Sequence, residues 1–166
     1  MALKIGTTLP SLEDATEWIN GVVSDDNLAG QPVLIQFWAV SCPACKSNTP
    51  HLQQLERDYT AQGLRVISIH APRFASDRDT DAVRECVQHL GLTGPCAIDN
   101  EHIILNRFET NGFWPNYFFF DAAHRLRSRA AGGMGLKIAE NSLRRILQLD
   151  ELATPIAESA EMAGVR

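Results

Sequence analysis

The spacing of apolar positions changes abruptly inside residues 33–59, and the change predicts a strand that runs straight into a helix. Val33, Leu34, Ile35, Phe37 and Trp38 form a nearly continuous apolar run rich in β-branched and aromatic residues, the pattern of a strand covered on both faces. Helical spacing then takes over: Leu52, Leu55 and Tyr59 recur at three and four residues, and no glycine lies between Cys42 and Gln62. The junction between the two patterns reads Cys42-Pro43-Ala44-Cys45. A strand-to-helix turn projects its residues at the carboxyl edge of a sheet, where open α/β folds place their chemistry.

The rest of the chain repeats this alternation. Residues 1–32 have weak periodicity, broken by Gly6, Pro10, Gly21, Gly30 and Pro32, with one short element around Leu12 to Ile19 and a turn at Ser24 to Asn27. The central helix is expected to bend near Pro50, which lacks an N–H for the ladder, and to stop at Gly63. Leu64 to Ile69 reads as a second core strand ended by Pro72, and Asp77 to Leu90 as a helix with Val83, Cys86, Val87 and Leu90 on one stripe and Gly91 just beyond it. Pro95 to Asp99 is a short strand, and 101–108 a brief helix ended at Asn111-Gly112. Pro115 opens the aromatic strand Asn116 to Asp121, which turns through Ala122, Ala123 and His124 into a partner at Arg125 to Ala130. Gly132, Gly133 and Gly135 read as a flexible break before a last helix, Leu136 to Leu152, expected to bury Ile138, Leu143, Ile146, Leu147 and Leu149; Pro155 closes it, and 153–166 is expected to be a mobile tail. The order β-α-β-α-β-α-β-β-α is α/β class, and right-handed crossovers place 33–38 in the middle of the sheet.

At 166 residues and 45% apolar content the chain is one domain's worth, spanning 1–152. A formal charge of -5 with no basic cluster excludes a nucleic-acid surface. The longest apolar runs, such as Val33 to Val40, fall far short of the roughly 20 residues of a membrane-spanning helix. The amino end lacks the apolar core of a signal peptide, so the expected location is cytoplasmic, with an extracytoplasmic alternative if a leader or anchor was removed. Four cysteines are too few for a disulfide scaffold in a chain this long, and a CxxC in a βαβ-like context favours redox chemistry.

Two cysteines three apart on a first helical turn face the same way, so their sulfurs can bridge. Cys42 takes the cap position, where unpaired N–H groups and the positive end of the helix dipole favour a thiolate, and is expected to be the attacking sulfur. Pro43 suits the first helical position, where a missing N–H costs nothing. Cys45, one turn in and expected to be more buried, is the resolving thiol. Lys46 adds a solvated cation. A pair of inert core thiols and half of a zinc site are the other readings of such a pair, but zinc wants four ligands and no second CxxC or HxxxH completes the set; His51 falls on a different face of the helix.

With these motifs in place the chain resembles the thioredoxin superfamily, specifically the TlpA/ResA-like thiol-disulfide oxidoreductases, and most of all the thioredoxin-like domain of DipZ-type proteins. The resemblance covers roughly residues 12–150 and rests on WING at 18–21, FWAVSCPAC at 37–45 with Pro50 eight residues after Cys42, VISIHAP at 66–72, AIDN at 97–100 and WPNYFFFDAAHRLR at 114–127. It implies a thioredoxin-like fold, a central mixed sheet flanked by helices with an N-terminal extension. It also implies a cis bond between Trp114 and Pro115 packed against the cysteines, where backbone pairs with an incoming substrate. Three positions depart from the family. Gln36 stands where thioredoxins commonly carry a buried aspartate that moves the proton of the resolving cysteine, so either water serves or Cys45 reacts slowly. Arg73 stands where close relatives often have an acidic residue, reversing the charge there. Ser41 replaces the tryptophan usual before the first cysteine, as in the DipZ-like branch, removing an apolar wall.

The expected activity is thiol-disulfide exchange with protein thiol or disulfide substrates, fed by an upstream electron donor, in a monomer with no bound cofactor or metal. Its alternatives are a thiol peroxidase on the same fold, although FWAVSC does not fit the PxxxTxxC pattern usual there, and a redox-inert interaction domain, against which intact CPAC and Pro115 speak. His70 is weighed as a tuner or proton relay for Cys42 against a structural histidine, and Cys86 with Cys96 as a second disulfide against two core thiols. Trp38 is expected to support the turn from the core. Phe113, Trp114, Tyr117 and Phe119 are expected to pack on the strand with only Trp114 reaching a substrate, and Arg73 to Arg84 to be a solvated helix entrance.

Overall fold

The computed structural model describes residues 2–110 and 112–153. Its elements are β1 (Glu17–Ile19), β2 (Val33–Trp38), α1 (Pro43–Tyr59), β3 (Arg65–His70), α2 (Thr80–Leu90), β4 (Cys96–Ile98), α3 (Ile103–Arg107), β5 (Asn116–Phe120), β6 (Leu126–Ala131) and α4 (Gly135–Ala153). Short 3-10 turns at Asp25–Leu28, Thr60–Gln62 and Ala75–Arg78 link them. The expected mobile tail, apart from the last helical residue Ala153, lies outside the described residues, as do Pro155 and the side chain of Leu149.

All six strands form one sheet in the order β1-β4-β3-β2-β5-β6, with β2 between β3 and β5 as the crossover argument requires. Strands β2, β3 and β4 run parallel, and β5 lies antiparallel to β2 with Phe37 opposite Asn116. This register has a consequence for the site. The ends of β2, β3 and β4, the start of β5 and the end of β6 fall on the same sheet edge, so the loops at 39–42, 71–74, 113–115 and 132–134 converge there.

Alternation along β2 sorts its side chains although nearly all are apolar. Val33, Ile35 and Phe37 face a cluster with Ile67, Ile69, Phe118, Phe120, Leu28 and Ile104, where Phe108 meets Phe37 and Phe118 edge-on at 5.1 Å. Leu34 faces the opposite way, against Leu52 and Leu55 of α1 and Leu136, Ala139, Leu143 and Leu147 of α4. Both faces are dry, which explains why the strand reads as an unbroken apolar run.

Several expected boundaries shift. The element near Leu12 to Ile19 is the edge strand β1, antiparallel to β4, and the turn at Ser24 to Asn27 is a 3-10 turn closed by a capping box between Ser24 and Asn27. Helix α1 runs uninterrupted through Pro50 to Tyr59 and passes into a 3-10 turn before Gly63, whose φ of 82° ends it. The second helix begins at Thr80 rather than Asp77, because Asp79 caps it by accepting from the Asp81 and Ala82 N–H groups. The third ends at Arg107, short of Asn111. Ile138 is 54% exposed rather than buried, since the inward stripe of α4 is Leu136, Ala139, Leu143 and Leu147.

The glycines at 132–135 are not a flexible break. The Gly132 N–H donates to the Pro115 carbonyl at 2.8 Å and Gly135 donates to Gly132. A Cβ on Gly135 would lie 3.1 Å from the Ala130 carbonyl carbon and oxygen and 3.2 Å from the Tyr117 ring. Gly135→Ala is therefore expected to destabilise the protein by about 1–3 kcal/mol through overpacking against backbone; the urea unfolding midpoint measures it, and an unchanged midpoint would show that the turn yields freely.

Candidate active site

Strand β2 delivers the chain into the sheet centre and out at its carboxyl edge, and α1 starts after four intervening residues. Cys42 is the N-cap of that helix, with extended backbone (φ -103°, ψ 105°), and its Sγ accepts the Cys45 N–H at 3.2 Å. Pro43 occupies the first helical turn. The sulfur thus takes the part usually played by a capping oxygen, and a helix start of this kind favours negative charge on that sulfur once the pair is reduced. Cys42 and Cys45 are joined in a disulfide, Cα atoms 5.3 Å apart. The expected contrast in burial between them is absent: they are 2% and 1% exposed, because Val40, Ala44 and Trp114 pack over the cluster that holds both.

Trp114 packs against the cluster that holds this pair, and the bond from it to Pro115 is cis. The Trp114 indole N–H donates to the Ala71 carbonyl at 3.0 Å, while the Ala71 N–H donates to the Trp38 carbonyl at 2.9 Å. The β5 loop is thereby tied through β3 to the end of β2. On the other side, Asn48 of α1 donates to the Gly133 carbonyl at 2.9 Å and the Tyr117 hydroxyl at 3.1 Å, and Gly133 approaches the Ala44 methyl. Trp38 lies buried beneath the turn, edge-on to the His70 ring at 4.9 Å. Gln36 is buried on the α1 side of β2, and its Oε1 has no hydrogen-bond partner among the described residues. Phe113 corrects the expectation of strand packing. It is 64% exposed, since it precedes the strand, whereas Tyr117 and Phe119 are fully buried within it.

The segment from Arg73 to Arg84 is not simply a solvated helix entrance. Asp77 is buried, and its Oδ2 accepts the Ser41 hydroxyl at 2.7 Å, the Arg73 N–H at 2.9 Å and the Phe74 N–H at 3.2 Å. Burial works against its charge, but these three hydrogen bonds, with His70 nearby, hold its carboxyl below the usual carboxylate range. The Arg73 guanidinium donates to the Ser41 carbonyl at 3.0 Å. Sequence reasoning missed Asp77 because it assigned that residue to the helix start; the next acid, Asp79, two residues on before Thr80, was the competing cap that frees Asp77 to face inward.

His70 is fully buried at the end of β3, and its Nε2 accepts the Val40 N–H at 3.1 Å. Burial pushes it down to about 4 against the pull of Asp77. The ring, neutral at neutral pH, holds the loop before Cys42 through this bond. Cys86 and Cys96 are free thiols, the first half-buried and the second fully buried; burial raises both, Cys96 to about 12. His51 is turned away from the pair, its Nε2 2.6 Å from Glu140 of α4. Among the described residues no group of three or more His, Cys, Asp or Glu is placed to hold a metal ion, and no helix is long and apolar enough to cross a membrane.

Because the His70 value is depressed in the fold, the unfolded chain binds more protons between about pH 6.5 and about pH 4, so stability falls as pH drops through that window. The loss is expected to reach on the order of 3 kcal/mol. In His70→Gln, whose amide can still accept the Val40 N–H, denaturant unfolding from pH 7 to pH 4 should show a much shallower decline; an equal decline in both proteins would count against the assignment.

The comparisons with known proteins agree with this geometry. The AhpC/TSA family model matches residues 5–129. The thiol-disulfide oxidoreductase YkuV of Bacillus subtilis is 34% identical over 146 residues, covering 87% of this chain and 97% of that protein. Protein DipZ of Mycobacterium tuberculosis is 31% identical over 144 residues, 84% of this chain, which spans only 21% of DipZ. A thioredoxin-like protein solved in solution in its oxidized form matches with a TM-score of 0.74 at 34% identity, over 89% of this chain and 98% of that one. A CxxC disulfide at a helix start in this fold, with these relatives, means that the chain belongs to the AhpC/TSA family and is a thioredoxin-fold thiol-disulfide oxidoreductase of the TlpA/ResA-like kind.

Proposed function

We propose that Cys42 is the nucleophile and Cys45 the resolving thiol of a dithiol exchange with protein disulfides. The Cys42 thiolate attacks one sulfur of a substrate disulfide, forming a mixed disulfide and releasing the other substrate sulfur as a thiolate, which takes up a proton. Cys45, on losing its proton, then attacks the Cys42 sulfur, closing the Cys42–Cys45 disulfide and expelling the second substrate thiol. Two electrons pass to the substrate, and an upstream dithiol donor restores the pair. The observation that carries this reading is the Cys42 sulfur held as helix cap by the Cys45 N–H.

Protein substrates are supported by the surface around the pair. Phe74, Phe113 and Met134 are 59%, 64% and 70% exposed, each on a different loop of the converging set, and exposed apolar groups gathered at one site mark protein contact. The Pro115 carbonyl is already taken by Gly132, so a substrate strand pairs at the Trp114 side of that bond. A monomer is the working state we assign. Cytoplasmic action goes with a reductase, and a potential at or below the cytosolic glutathione poise would support it.

The roles are tested by trapping. Cys45→Ser, incubated with a disulfide-bonded protein, is expected to accumulate a mixed disulfide through Cys42, and Cys42→Ser to accumulate none; the reverse pattern would exchange the roles, and rapid peroxide consumption without disulfide exchange would favour the peroxidase alternative. The buried amide of Gln36 cannot exchange a proton, whereas a carboxylate there would be raised by burial into a useful range. Gln36→Asp is therefore expected to speed resolution of the mixed disulfide by about tenfold or more in single-turnover experiments; unchanged rates would remove the proton-transfer argument.

A further inference from the structure

Ser41 and Arg73, the two family departures that flank the site, meet on one buried carboxylate. Asp77 accepts the Ser41 hydroxyl at 2.7 Å while Arg73 reaches the Ser41 carbonyl at 3.0 Å and gives its own N–H to Asp77 at 2.9 Å. Ser41 immediately precedes Cys42, and the Cys42 N–H is itself fixed on the Ala39 carbonyl at 3.0 Å. A negative and a positive charge are thus held at set positions on the residue before the nucleophile, although they come from a loop thirty-odd positions later.

We propose that Asp77 and Arg73 are positioning residues that set the thiolate character and potential of Cys42 through their shared hold on Ser41, Asp77 opposing the thiolate and Arg73 favouring it. This inference rests on the oxidoreductase reading. The two charges do not cancel. Asp77 is 4% exposed, so water screens its field poorly, whereas Arg73 is exposed and its field is damped. The net effect is a more basic Cys42 thiol and a more reducing couple than the helix terminus alone would give. The other groups around Cys42 do not supply this charge: Lys46 of α1 is exposed, His70 of β3 is neutral at pH 7, the Cys86 and Cys96 thiols of the same cluster are kept protonated by burial, and the loops at 113–115 and 132–134 carry no charged residue.

The test measures the pH midpoint of Cys42 alkylation in fully reduced protein, read by mass spectrometry on the Cys42 peptide, together with the glutathione redox midpoint. Asp77→Asn keeps the shape and removes the charge, and is expected to lower the alkylation midpoint by roughly one pH unit and make the couple more oxidising. Arg73→Gln, on an exposed side chain, should shift both readouts the opposite way by a smaller amount, with Arg73→Lys staying nearer the wild type. Variants that change melting temperature while both midpoints stay at the wild-type values would show a purely structural clamp and overturn the inference while leaving the oxidoreductase reading standing. A wild-type protein that forms no reversible disulfide would overturn both.

Discussion

The hydrogen bond from the Cys45 N–H to the Cys42 sulfur is the contact on which the rest of the site depends. It is possible because a helix must begin where β2 ends, and a helix start leaves N–H groups that need acceptors. A sulfur in that place is useful chemically for the same reason that it is useful structurally: the donors that satisfy the cap also favour negative charge. The second cysteine sits one turn along, with its Cα 5.3 Å away, within bridging distance.

Holding that turn in place is the work of the surrounding sheet edge. The parallel run of β2, β3 and β4 and the antiparallel return of β5 and β6 bring four loops to one edge, and each is tied to its neighbour by a specific bond. His70 holds Val40, Asp77 holds Ser41, Trp114 is anchored on Ala71, and Asn48 reaches across to Gly133. The bonds at Val40, Ser41 and Trp114 are partly buried, so breaking one of them would leave a donor or acceptor poorly reached by water. The exposed Phe74, Phe113 and Met134 side chains lie on the same converging loops.

Much of this was legible in the sequence because the strongest signals are local. The apolar run at 33–38, the switch to helical spacing and CPAC between them define the strand, the helix and the cap before any tertiary contact is known. What was hidden depends on partners far along the chain. Asp77 reads as one of several acids near a helix start, and only the packing of its loop against Ser41 makes it part of the site. Phe113 looks like its aromatic neighbours but falls just outside the strand and so points to solvent. The glycines at 132–135 have the composition of a loose linker; the close approach of the Ala130 backbone, which leaves no room for a Cβ at Gly135, comes only from the fold. The edge strand β1 is three residues long and carries too little pattern to be read as a strand.

The central claim is that Cys42 and Cys45 form a reversible two-electron couple, and equilibration with glutathione redox buffers followed by thiol alkylation tests it most directly. A reversible couple gives a single transition at a defined potential, within about -270 to -120 mV as for related dithiol proteins, that disappears in Cys42→Ser. A pair that stays fully oxidised or fully reduced across the whole buffer range, or a transition that survives the loss of Cys42, would contradict it.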